Sequence, residues 1–520
     1  MVTVLDAGPA PDVGACLRLL TAAEIGCWFD RRATGGISLL MVDPDRVVRS
    51  AHALWPVLTA AAAAAPPGPF GFAGGWAGWV SYEGALTALG LDPTGADASS
   101  VAHYPAALAI DHARGTAHAA GRGPAGETAA QAWVERLHRF RGLVPTAGTV
   151  GPPLVADPGP VRAAFVRQVR EVQGWIAAGE TYVANLTYRI RLDGLGDPAA
   201  AYARLAAAHP APYAALLHDR DRWVLSSSPE LLLRRRGVRA CTRPIKGTRP
   251  AGQGRALAAD PKERAELTMI VDMERNDLGQ VARTGSVRVS ELFTIERHPG
   301  IEHLFATVEA EVPGPAGALL RAMLPGGSVT GAPKRRAVER LSGLEADPRG
   351  VYTGAVGYCD DGGDMEWNVA IRTLQAFPGE CLYGTGGGIT ADSDPEREYA
   401  GDPAEGAGAA ACPGGGLGVT IGLIETVRVD RGRVPLWPLH LERLTASARV
   451  LAITLPDRLP TAEEVVRAAD GIPGFAAVRL TLAAAEVRLE ARPVAPAGDG
   501  WRACPPYPRS TARPQDDGAR

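Results

Sequence analysis

Lysine is nearly absent from this chain. Of 54 basic residues in 520, only Lys246, Lys262 and Lys334 are lysines, and the rest are arginine. A GC-rich coding sequence is the simple cause, and it makes each retained amine conspicuous. Arginine stays charged and cannot serve as an amine nucleophile, whereas lysine can. A charge excess is also missing. The net charge of −3 leaves no basic surplus for nucleic acid and no acidic tail for a basic partner, so a small anionic ligand must be held by a few local charges. Long apolar runs are missing too. The alanine run Ala60–Ala65 meets Pro66 and Pro67 and is too short to span a bilayer. The N-terminal MVTVLDAGPAPD has no basic stretch leading into an apolar core, so no secretory signal, no membrane span and a cytoplasmic location are expected. Paired cysteines are the last absence. Seven are widely spaced, with no CxxC, which argues against a zinc site or disulfide framework and for reduced thiols.

What is present is ordinary globular composition, 46% hydrophobic and 21% charged. Residues 1–120 alternate short apolar runs such as ISLLMVDP with Gly/Pro breaks and read as strands and turns. Residues 121–160 read as a connection carrying one helical piece, AWVERLHRF. Phe165, Val169, Val172 and Ile176 then fall at helical spacing, and TYVANLTYRIRL follows as a strand. Residues 180–400 mix strands (WVLSS, NVAIRTLQAF) with helices (ERAELTMIVDMERNDL, APKRRAVERLSGL), the pattern of an α+β fold. The expected organisation is an N-terminal region 1–150, a catalytic region 151–400, a Gly/Ala-rich linker 401–418 and a smaller unit 419–520 with a poorly ordered tail.

Four segments carry chemistry. In SSSPELLLRRRGVRACTRPIKGTRP, two strands joined by RRRG bring Glu230 and Lys246 to one end of a hairpin, an acid beside an amine; the plainer alternative is two surface charges. In KERAELTMIVDMERNDLG, Glu263 and Glu266 share a helix face. They read either as a solvated acidic face or as a carboxylate for a hard cation such as Mg²⁺. In LPGGSVTGAPKRR a Gly-rich turn runs into a helix start at Ala332–Pro333, where backbone N–H groups suit an anion; the GxxxxGK[ST] spacing of a P-loop is absent. In WNVAIRTLQAF, Arg372 lies inside an apolar strand, either paired or awaiting a carboxylate. The glycines after Tyr383 let backbone approach a ligand closely. Two anion-binding elements, a cation-binding carboxylate, an acid and an amine fit a small dicarboxylic substrate whose ring substituent is displaced.

Over roughly residues 20–400 the ordered blocks GGWAGWVSYE, GETYVANLTYR, SSPELLL, RPIKGTRPAG, RAELTMIVDMERNDLG, EHLFATVEAEV, LPGGSVTGAPKRRAVERL, RGVYTGAVGY, NVAIRTL and GTGGGITADSDPEREY resemble the chorismate-utilising enzymes. The resemblance implies a four-layer αββα sandwich of two large antiparallel sheets, with the site in the C-terminal half. It implies Glu230 as the acid that protonates the departing hydroxyl and Glu266 as a Mg²⁺ ligand. His303, Thr330, Gly331, Arg372, Tyr383, Gly387 and Gly388 would surround the substrate. Lys246 stands where alanine is typical of the anthranilate, isochorismate and salicylate synthases and lysine is typical of the aminodeoxychorismate enzymes. That implies covalent attack at ring carbon 2, amination at carbon 4, and ammonia from a glutamine amidotransferase partner, leading toward p-aminobenzoate and folate. Amination at carbon 2, as in anthranilate synthase component I, and a non-catalytic chorismate-binding remnant are the alternatives.

Two places depart from the pattern. After PEREY the family continues as a helix bearing a second Mg²⁺ ligand and a substrate-binding lysine; those places fall on Gly401 and Glu405, with Pro403 between them. Glu398 is then the candidate second metal ligand. Val183 stands where a polar residue is common. The segment IETVRVDRGRVPLWPLHLERLTASARVL resembles the start of aminodeoxychorismate lyase, an enzyme that uses pyridoxal phosphate (PLP), with Arg443 at a phosphate-binding place. No lysine follows Lys334 to form the Schiff base, so PLP binding and lyase activity are not expected.

Overall fold

A computed structural model describes residues 1–60, 68–92, 97–140, 159–192, 195–298, 301–400 and most of 423–494. Two compact units, Met1–Gly422 and Leu423–Arg520, divide the chain.

The first unit is built from two antiparallel sheets. The eleven-stranded sheet runs from Val2–Pro9 at one edge to the two-residue strand Gly331–Ala332 at the other. The ten-stranded sheet runs from Ile245–Pro250 to Arg46–Val48, with Arg288–His298 added onto Ile301–Glu311. Side-chain alternation explains why the sheets stack, because successive residues of a strand point to opposite faces. In the strand Ile25–Asp30, Cys27 and Phe29 enter the core between the sheets, while Trp28 packs under outer helices. In Gly75–Val80, Ala77 and Trp79 point inward, and Trp76 and Val80 outward.

Each outer face is covered by helices, giving the four layers. Leu17 and Leu20, Trp133 and Leu137, and Tyr202 and Leu205 cover the larger sheet, from helices Val13–Thr21, Gly123–Phe140 and Pro198–Ala208. Leu54 and Leu58, Leu267 and Val271, and Leu319 and Leu320 cover the smaller one, from Ala51–Ala60, Pro261–Gly279 and Ala316–Met323. The expected α+β sandwich is therefore what forms.

The expected division near residue 150 is not a division of the fold. Ile25–Asp30 pairs with Tyr213–Asp219, and Gly75–Val80 pairs with Ala355–Asp360. Each sheet thus contains strands from both sides of that boundary. The composition shift marks a connection between strands of one unit. NVAIRTLQAF is not one strand either. Met365–Val369 belongs to the smaller sheet and Thr373–Phe377 to the larger. Arg372 sits in the crossing, with a positive φ of 48°. Its apolar neighbours reflect burial on both sides of the crossing, which periodicity alone cannot separate from a single buried strand.

The second unit contains the antiparallel strands Leu423–Asp430, Phe475–Ala483 and Glu486–Val494. Its helix Ala462–Ala468 begins with a Thr461/Glu464 capping box. Gly401, Glu405 and Arg443 lie outside the described residues. Among the described residues no helix is long and apolar enough to cross a membrane.

Candidate functional site

The hairpin Leu231–Arg236/Arg239–Arg243 ends with Leu231 opposite Arg243. Glu230 therefore precedes one strand where the chain leaves the other. The chain then turns at Pro244 into Ile245–Pro250, which pairs with Ile301–Glu311 instead of its own hairpin. The register shifts between Lys246 and Thr248, and Gly247 there takes a φ of 70°. That bulge is a conformation glycine adopts without a Cβ penalty. The outcome is the expected juxtaposition: Glu230 and Lys246 line one cavity of about 230 Å³.

His303, Arg372, Tyr383, Gly387, Gly388, Glu266 and Glu398 line the same cavity. His303 is fully buried and its Nδ1 lies 2.9 Å from the Thr248 hydroxyl. Gly387 and Gly388 form a floor with room above it: a Cβ there would come no nearer than 3.5 Å to Glu398 Oε2 and 3.4 Å to a Val183 methyl. Gly384 answers a different need, because a Cβ at that place would fall 2.2 Å from the Tyr352 ring.

The structure does not bring Thr330 to the wall. Its hydroxyl donates back to Gly326 O at 2.9 Å and its carbonyl accepts from Asn185 N at 2.8 Å, so it braces the turn. Gly331 reaches only a smaller adjoining compartment. The Gly-rich turn also does not run directly into its helix. Gly331–Ala332 first pairs with Val183–Ala184, and Pro333 is the residue before the helix Lys334–Leu344. The proline ends a strand there instead of opening the first helical turn.

Charges are distributed with some care around the cavity. Lys246 Nζ lies 4.0 Å from Glu266 Oε2, and Lys262 Nζ lies 3.8 Å from Glu266 Oε1. Glu263, one turn earlier on the same helix, also lines the cavity. Its carboxyl is raised, first by burial and then by the neighbouring Glu266. Behind the Gly-rich turn, Glu274 and Asp277 are buried on the inner face of the same helix, and Lys334 donates to Asp277 at 2.5 Å. Burial and the Asp277 charge push the Glu274 carboxyl upward. The acidic helix thus splits: Asp272 is solvated, Glu263 and Glu266 serve the cavity, and Glu274 and Asp277 are internal.

Three residues had no assigned role in the sequence and matter here. Asn185 and Ser328 line the cavity. Arg349, fully buried, holds both of their segments. It donates to Asn185 O at 2.7 Å and to Val329 O at 2.9 Å, and it forms a two-point ion pair with Glu345 at 2.7 and 2.8 Å. Its place in the RGVYTGAVGY block was the available signal, but one arginine among so many has no distinguishing mark.

The match to the chorismate binding enzyme family covers residues 27–400. Aminodeoxychorismate synthase component 1 of Salmonella typhimurium is 42% identical over 248 residues, 46% of this chain and 55% of that protein. Anthranilate synthase component 1 1 of Haloarcula marismortui is 40% identical over 275 residues, 49% of this chain and 56% of that one. The chain thus spans about half the length of the curated relatives it matches. The crystal structure of anthranilate synthase component I from Streptococcus pneumoniae superposes with a TM-score of 0.63 at 27% identity, covering 70% of this chain and 89% of that one. With the family match spanning well over half of its residues, the chain belongs to the chorismate binding enzyme family.

Proposed function

We propose that the chain is an aminodeoxychorismate synthase component I, converting chorismate and ammonia to 4-amino-4-deoxychorismate and water. The observation that carries this reading is Lys246, an amine on the cavity wall with Glu230 and 4.0 Å from Glu266. Relatives of both amination types match at similar identity, so overall likeness does not choose between them, whereas the amine does.

In this reading the neutral amine of Lys246 bonds to ring carbon 2. The ring double bonds shift, and the carbon 4 hydroxyl leaves as water with a proton from Glu230. The proton lost by the new secondary amine returns to Glu230. Ammonia then bonds to carbon 4, the double bonds shift back, and the carbon 2 electron pair returns to Lys246 with the surplus proton. Arg372 supplies a guanidinium for a substrate carboxylate. His303, oriented by Thr248, and Tyr383 complete the polar wall.

The donors fit Mg²⁺, which takes one or two protein carboxylates and fills its shell with water and substrate oxygens. Glu266 and Glu398 are the carboxylates for it, with Glu263 beside them. Among the described residues no group of three or more His, Cys, Asp or Glu side chains gathers that could hold a metal ion by itself, so substrate and water oxygens would have to complete the shell. Bound there, the ion would neutralise and orient the ring carboxylate. Ammonia is drawn from a glutamine amidotransferase partner, and the product leads toward p-aminobenzoate and folate.

The test is to incubate the protein with chorismate, Mg²⁺ and ammonium salt and identify the products by mass. Aminodeoxychorismate supports the reading. Anthranilate transfers the chain to the other amination class. Chorismate binding with no turnover makes it a binding protein.

A further inference from the structure

Behind Lys246 lies a second, much smaller compartment. It has room of about 10 Å³, roughly what one water-sized molecule requires. Val183, Met269, Ile270, Met273 and Gly331 form much of its wall, and Lys246, Glu266, Asn185, Ser328 and Gly388 separate it from the main cavity, lining both spaces. The Ser328 side chain is about nine-tenths buried, and its hydroxyl has no hydrogen-bond partner among the described residues. A buried hydroxyl left this way forfeits about 1–3 kcal/mol, and Ser328 is one of the residues that line the one-molecule space.

We propose that this compartment holds one molecule of ammonia, with the Ser328 hydroxyl accepting one of its N–H bonds. The inference rests on the amination reading and adds the place from which the nitrogen enters. A small, largely apolar chamber keeps ammonia neutral and its lone pair free, whereas a chamber lined by carboxylates throughout would favour ammonium. Its size admits ammonia and excludes an amine one methyl larger. Its position beside Lys246 and Gly388 keeps the nitrogen out of the space the ring occupies until the lysine adduct has formed. The later step balances as above: the ammonia lone pair forms the carbon 4 bond, the carbon 2 pair returns to Lys246, and one proton passes from the new ammonium to the freed amine. Val183, a departure from the polar residue common at that place, belongs to the apolar lining.

Initial rates with chorismate and either ammonium or methylamine, at fixed pH, test this with the full chain. Ser328→Ala raises the KM for ammonium tenfold or more, and at least five times more than it raises the KM for chorismate. Met273→Ala, which enlarges the compartment, raises the methylamine-to-ammonium rate ratio at least tenfold. An unchanged ammonium KM in the first variant, or an unchanged ratio in the second, overturns the compartment's role. A circular dichroism spectrum and melting temperature matching wild type show that each variant is folded. A wild-type chain that makes no aminated product overturns the amination reading itself, which separates the two failures.

Discussion

Arg349 offers the most searching test of how the site is held. Its guanidinium makes five hydrogen bonds, two to Glu345 and one each to Asn185 O, Val329 O and Thr353 Oγ1. Both members of the ion pair are buried, at 2% and 8% exposure. Arg349→Met keeps much of the apolar stem and removes every donor. Two buried carbonyls lose a partner, at about 1 kcal/mol each at the lower end of such costs. Glu345 keeps the Thr187 N–H and hydroxyl at 2.9 and 3.0 Å but loses its cation. Breaking a buried pair from one side costs about 3–5 kcal/mol in all, and that range is the expected loss.

The double variant Arg349→Met/Glu345→Gln removes the stranded charge and should recover about 1–2 kcal/mol of it. Chorismate binding should stay weakened in both variants, because Asn185 and the Val329 turn remain untied. Urea unfolding followed by tryptophan fluorescence gives the stabilities; eight of the ten tryptophans precede residue 422. Isothermal titration with chorismate gives the binding. A single-variant loss below about 1 kcal/mol, or a double variant as unstable as the sum of the singles, would refute the reasoning.

Three further outcomes are expected. Lys246→Ala should lose amination at carbon 4 by at least a thousandfold while still binding chorismate; full activity in that variant removes the covalent role. Burial would raise the Glu366 carboxyl, but Arg31, Arg234 and Arg236 overcome it and hold the group at about 2. The stability this gives is complete above the unfolded value near 4.5 and fades as pH falls toward 2. It amounts to roughly 3 kcal/mol, of which about 2 is gone by pH 3. Urea midpoints of wild type and Glu366→Gln should therefore converge between pH 6 and pH 3, and a pH-independent gap contradicts the assignment. Glu274 has the opposite sign: its carboxyl is raised, so wild type loses stability as pH rises above the ordinary carboxylate range. The stability of Glu274→Gln relative to wild type should rise between pH 5 and pH 8, and a relative stability that stays constant or falls over that range speaks against it.

The α+β mix is legible because its causes are local, whereas the four-layer stacking of the two sheets is legible only through the family resemblance. The strand run ISLLMVDP and the helical spacing of Phe165, Val169 and Val172 are set by neighbours within a few residues, whereas the bulge beside Lys246 shows only in the pairing with Ile301–Glu311. The main site residues were legible for another reason: they sit in long ordered blocks, and an amine in an arginine-dominated chain is rare enough to notice. What stayed hidden depends on distant partners. Arg372 reads as part of a strand because nothing local marks the change of sheet between Val369 and Thr373. The resemblance places Thr330 beside the substrate through its block, and no local pattern reveals that its hydroxyl bonds within its own turn, to Gly326 O.

Arg349 and Ser328 complete the contrast between two kinds of residue near the substrate. Arg349 is satisfied by five protein acceptors, so its effect on chemistry passes through the segments it ties down. Ser328 lies next to one of those segments, lines the cavity, and has a hydroxyl that nothing in the described protein uses. A buried polar group is stable when partnered. The unspent hydroxyl is therefore the stronger indication of a ligand, and the fully spent guanidinium the stronger indication of a frame. If that distinction holds, Arg349→Lys should lower chorismate affinity and amination together. Ser328→Ala should act chiefly on the ammonia-dependent step, raising the KM for ammonium far more than it lowers chorismate affinity. Parallel changes in both variants would mean that Ser328 also serves the frame.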